Sequence, residues 1–112
     1  DACRDILSQP ISGSITVDLI QKVVANHYNI TTSELKGPKR DKKLATPRHI
    51  AIYIARQLTE YSFVDLGNEF SGRDHTTIMH SYEKIENAIK VDSQLNATIQ
   101  LMMREIKDNR FN

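Results

Sequence analysis

The feature that most narrows the choice of fold is the spacing of apolar residues in the second half of the chain. Ile78, Tyr82, Ile85 and Ile89 follow at intervals of 4, 3 and 4, and Leu95, Ile99, Met102 and Ile106 repeat the series. An α-helix turns once per about 3.6 residues, so each series lines one helix face that other elements must cover. Nowhere does a run of β-branched residues alternate with polar ones between turn signals, the pattern that a half-buried strand needs. The chain is expected to be all-α.

The rest of the sequence divides on the same grounds. Thr16 suits an N-cap, with Asp18 in the first turn, and Val17, Ile20, Val24 and Tyr28 follow at helical spacing to about His27 or Tyr28. Thr31 and Glu34 have the spacing of a capping box, predicting about one turn of helix over 31–35 that Gly37 and Pro38 stop. A basic loop is expected to run to about Ala45, with Pro47 in the first turn of the next helix, where its missing N–H costs nothing. Ile50, Ile54, Leu58 and Tyr61, joined by Tyr53, read as that helix's apolar stripe, with Arg48 and Arg56 projecting from the opposite face.

Ser62 and Asp65 open a short helix in which Phe63, Leu66 and Phe70 share a face, and Ser71 and Gly72 end it. The helix carrying Ile78 follows, and Asp92 caps a last one. The expectation is a compact helical domain of about six helices over 15–112. Residues 1–14, broken by Pro10 and Gly13, read as a hinge from a preceding domain, and a start at Asp1 rather than Met suits a piece excised from a longer protein.

A chain of 112 residues buries roughly two thirds of its unfolded surface and needs no crosslink. Its one cysteine, Cys3, has no partner for an internal disulfide or a metal site, which suits a reducing compartment; the cytoplasm is expected. No run approaches the ~18 apolar residues of a membrane span, and residues at the start lack the charged-then-apolar layout of a secretory signal. The net charge of +1 conceals an asymmetry. Residues 36–48 hold Lys36, Lys39, Arg40, Lys42, Lys43 and Arg48 against Asp41 alone, net +5, leaving −4 for the remainder. Positive charge concentrated in one segment is a directed field, and phosphate groups are its usual target.

Between the short helix and the long one stands Ser71-Gly72-Arg73-Asp74-His75-Thr76-Thr77. A short helix, a turn of about three residues containing glycine and a longer second helix is how a helix-turn-helix reads in sequence. Counting about 100° per residue from Ile78, Thr76 lies near 160°, His80 near 200° and Thr77 near 260°, all away from the apolar stripe. In such a unit the start of the second helix meets base edges in the major groove. Short side chains suit that close approach: Asp accepts from cytosine's amino group, Thr bonds or meets thymine's methyl, and His donates or accepts. The free N–H groups of the helix start add a seat for a phosphate.

Taken alone, Asp74 is equally a simple N-cap, and Thr76 and Thr77 are equally ordinary surface. Their combination with an outward arginine pair and a basic loop points to one partner. An enzyme is not expected. His75 and His80 are five residues apart, about 140° round a helix, so they cannot share a metal, and neither a nucleophile motif nor a glycine-rich phosphate loop is present. A rival reading is a helical protein-interaction module whose basic loop docks an acidic partner; another is a dimeric transcriptional regulator built on the same unit.

The run Gly72-Arg73-Asp74-His75-Thr76-Thr77-Ile78-Met79-His80 resembles the hallmark of the C-terminal DNA-binding domain of the bacterial chromosomal replication initiator DnaA. The similarity extends over about residues 16–108 and includes the basic loop, Ala45 to Arg48, and Lys84-Ile85-Glu86. It implies sequence-specific binding of short asymmetric DNA boxes at the replication origin, and autoregulatory binding at promoters, by a monomeric unit. By resemblance, Asp74, His75, Thr76 and Thr77 would read bases in the major groove. Arg40 would enter the neighbouring minor groove, with Lys39 or Lys42 as alternates. Lys39, Lys42, Arg48, His49, Arg56, Thr59, Phe63, Val64, Arg73 and His80 would hold the sugar-phosphate backbone, Arg73 at the turn or a phosphate rather than a base.

The chain departs from the commoner pattern at Ser71, where a second glycine is frequent, and at Thr46 and His49, where Arg and Gln are frequent. The resemblance further implies that ATP binds a separate domain, leaving this chain without a cofactor. It also implies regulatory protein partners, and suggests contact of residues 1–14 with acidic phospholipids.

Overall fold

A computed structural model describes residues 15–39 and 41–109. Six helices follow in order: α1 (Val17–His27), α2 (Thr32–Lys36), α3 (Lys42–Leu58), α4 (Phe63–Glu69), α5 (His75–Val91) and α6 (Ser93–Asn109). The described residues contain no strand, as the apolar spacing predicts. Local chemistry sets the boundaries. The Thr16 hydroxyl accepts from the Leu19 amide at 3.0 Å, and the Asp92 carboxylate accepts from the Leu95 amide at 3.0 Å. Capping boxes close on both sides at Thr31–Glu34 and Ser62–Asp65. α1 ends on Asn29 at φ 59°, with the Asn29 amide donating to Asn26 and the Ile30 amide to Ala25; left-handed asparagine in this paired bond pattern is a standard helix stop.

α3 is the central helix and touches all five others. The sequence predicts a stripe along it, but Ile50, Ala51, Ile52, Tyr53, Ile54 and Ala55 are all buried. A helix apolar all round is a helix enclosed all round. Tyr61 lies beyond its end and is exposed, so it is not part of a core stripe. α3 also begins earlier than expected. Asp41 is its N-cap, accepting from the Lys43 amide at 3.2 Å, so Lys42 and Lys43 are helical and Pro47 falls in the second turn. The stripes of α5 and α6 behave as their spacing requires: Ile78, Ile85, Ile99, Met102 and Ile106 are buried, and Tyr82, Ile89 and Leu95 pack partly buried against them.

Candidate nucleic-acid interface

α4 and its C-cap present Leu66 and Phe70 to the core, and the chain then reverses within four residues. The Arg73 amide donates to the Gly67 carbonyl at 2.9 Å, closing the reversal through Ser71 and Gly72 at φ 65° and 70°. Gly72 supplies the positive φ without steric cost, as expected. Gly67 does something the sequence does not announce: a Cβ there would strike the Arg73 carbonyl oxygen, so the turn lies directly against α4. α5 then starts on its N-cap Asp74, whose carboxylate accepts from the Thr76 amide at 3.0 Å. The Thr76 amide and hydroxyl hold this carboxyl below its ordinary range. His75 Nδ1 stands 3.9 Å from the other carboxylate oxygen. Asp74, His75, Thr76 and Thr77 are all exposed, while Ile78 behind them is fully buried.

The carbonyl end of α2 anchors the basic segment beside this turn. Arg48 donates from Nε to Leu35 O at 2.6 Å, from Nη2 to Glu34 O at 2.8 Å and from Nη1 to Lys39 O at 2.8 Å. Arg73 donates from Nη1 to Phe70 O at 2.6 Å and from Nη2 to Gly37 O at 2.7 Å, and the Ser71 hydroxyl donates to Lys36 O at 2.6 Å. A helix C-terminus carries unpaired carbonyls and partial negative charge, and guanidinium forks satisfy both. The expectation that Arg48 projects outward is corrected: it is 6 % exposed, because α2 folds back over α3 and takes its donors. Ser71, despite its left-handed backbone, is matched to its place by that hydroxyl bond.

Between α3 and α5 opens a cavity of about 570 Å³, with Lys42, Arg48 and His49 on one wall and Asp74, Thr77 and Ser81 on the other. Arg48 is thus clamp and cavity lining together. A second hollow of about 220 Å³ continues along α5 between His49, His80 and Lys84. His49 lines both and is half-buried; burial pushes its pKa down, and Lys84, Arg48 and Arg73 push the same way.

The other expected backbone contacts are distributed unevenly. Lys42 is exposed at the cavity and His80 at the hollow, Lys39 is exposed on the segment after α2, and Arg40 lies outside the described residues. Arg56, Thr59, Phe63 and Val64 gather at the far end of α3. Arg56 is exposed, donates to Tyr61 O at 2.8 Å and sits 4.7 Å from the Phe63 ring centroid. Phe63 meets the edge of Tyr82, Val64 is 57 % exposed, and the Thr59 hydroxyl donates to Ala55 O at 2.6 Å.

Lys84 and Ser81 line the α5 side of these hollows although the sequence reading assigns them no site role. A signal was available: residues 77, 80, 81 and 84 recur at helical spacing on one face of α5. Among the described residues, no group of three or more His, Cys, Asp or Glu could hold a metal ion, and no helix is long and apolar enough to cross a membrane.

Residues 17–85, more than half of the chain, match the family described as the bacterial dnaA protein helix-turn-helix. Among solved structures, the chain is similar to a crystal structure of a DNA replication initiation factor, with a TM-score of 0.75 and 25 % identity over 83 % of this chain. The chain spans 28 % of that protein's length.

Proposed function

Because the chain belongs to the bacterial DnaA helix-turn-helix family, we propose that it binds duplex DNA in the initiation of chromosome replication, recognising short asymmetric boxes as a monomer. The observation that carries the reading is the exposed start of α5, which projects four polar side chains beside a cavity walled by Lys42, Arg48 and His49. Asp74, His75, Thr76 and Thr77 read base edges from the major groove. Asp74 does so with the carboxylate oxygen that the Thr76 amide leaves uncapped. Lys39, Lys42, His49, His80 and Lys84 hold phosphates along α3 and α5, and Arg40 enters the adjacent minor groove. Arg48 and Arg73 add positive charge to the cavity while holding α2, the turn and α3 together.

The reading extends to origin boxes, autoregulatory promoters and a cytoplasmic location with the chromosome, and the family match supports it. No catalytic step is assigned to these residues. Selection of bound duplexes from a random pool tests the proposal. Enrichment of one short non-palindromic sequence is the expected result. Palindromes recovered with a dimer in solution would point to an ordinary regulator, and no enrichment, together with salt-resistant binding to an acidic protein, would replace DNA by a protein partner.

A further inference from the structure

His49 is the one histidine among the described residues that lines both hollows between α3 and α5. Three cations act on it: Lys84 from α5, Arg48 on its own helix and Arg73 from the turn, and Lys42 lines the larger cavity with it. Thr77 and Ser81 complete its surroundings, Asp41 and Asp74 line the larger cavity, and His80 shares the smaller one. Half-burial removes water that would stabilise an imidazolium, and the three neighbouring cations repel one. In the free protein both effects disfavour the protonated ring. A phosphate seated in the hollow reverses both effects, because it brings a negative charge and a strong acceptor to a ring that can donate from both nitrogens only when protonated.

Resting on the DNA-binding reading, we propose that His49 takes up a proton when a backbone phosphate enters the hollow it shares with His80 and Lys84, so that DNA affinity rises as pH falls. The sign follows from linkage. Between the lowered pKa of the free ring and the higher pKa of the bound ring, the complex holds more protons than the separate partners. The association constant then falls with rising pH by up to about tenfold per unit, the limit for one proton.

The test measures affinity for the duplex recovered by selection, from about pH 6 to pH 8 at fixed salt, for the wild type, His49→Gln and His80→Gln. Calorimetry in two buffers of different ionisation enthalpy counts protons taken up, and thermal melting checks that each variant is folded. The expected result is a falling profile with proton uptake in the wild type and in His80→Gln, and a profile without that component in His49→Gln, whatever its absolute affinity. A profile equally steep in His49→Gln would place the proton elsewhere, and a flat wild-type profile with intact binding would overturn the proposal while leaving the DNA-binding reading standing. Absence of binding to any duplex at any pH would overturn both.

Discussion

Thr76 and Thr77 are exposed because Ile78 is not. A helix that buries Ile78 and begins three residues earlier, on the N-cap Asp74, holds its first turn clear of the interior. Thr76→Ala removes a hydroxyl and a methyl from that projecting turn without touching the core. Binding to the selected box is expected to weaken by ~1 to 3 kcal/mol and binding to random duplex hardly at all, as titrations of both will show. Equal loss on the two would remove Thr76 from base reading. Arg48 is the opposite kind of residue, with its charge turned inward onto three carbonyls. Arg48→Lys keeps the charge but offers one ammonium where three fixed donors are needed. Urea unfolding should show a loss of roughly 1.5 to 3 kcal/mol, as for a hydrogen bond to a charged group. Undiminished stability would mean that the arginine does not clamp α2 to α3.

At the level of elements, the turn between α4 and α5 depends on two glycines for different reasons. Gly72 has open space around it but a φ of +70°, so Gly72→Ala costs conformational strain of about 1 to 2 kcal/mol and little else. Gly67 has an ordinary helical backbone, and it is the Arg73 carbonyl that leaves no room for a Cβ. Gly67→Ala must push α4 and the turn apart, at a cost of about 1 to 3 kcal/mol. It should also weaken specific binding beyond what the stability loss explains, since the start of α5 is aimed by this contact. Comparing the two variants in denaturation and box binding separates strain from displacement.

The contrast also marks what one sequence makes legible. Caps at Thr16, Thr31, Ser62, Asp74 and Asp92 are local chemistry, and each is found where its residue type predicts. The burial of Arg48 and the enclosure of α3 arise from α2 folding back and from five helices surrounding a sixth, and no spacing within α3 encodes either. Pro47 misleads for a related reason. A proline fits a first helical turn, but Asp41 caps the helix sooner, and the sequence gives no ranking of the two signals. The exposed start of α5 is legible from its angular positions; Ser81 and Lys84 share a helix face with Thr77 and His80 by spacing, but that α3 lies beside that face is not encoded in it.

Over the whole molecule, the near-neutral total is a segregation of charge, with +5 in residues 36–48 and −4 elsewhere. The described lysines of that segment are exposed, with Lys42 at the cavity between α3 and α5, and Lys84 extends the cationic surface along α5. Binding that rests on such a surface releases counterions from DNA, so the logarithm of the association constant should fall linearly with the logarithm of salt concentration. On the proposed reading Lys84→Ala deletes one phosphate contact and no base contact. It is expected to weaken all duplexes alike and to flatten the salt slope by about one unit. Lys22 provides the control, being already paired with Asp18 at 3.2 Å on α1. Lys22→Ala should leave the slope where it is, because its charge is offset within its own helix before any DNA approaches. If the two variants flattened the slope equally, long-range net charge rather than a phosphate seated against α5 would govern the salt response. Loss of discrimination between sequences in Lys84→Ala would instead make that lysine a reader of bases.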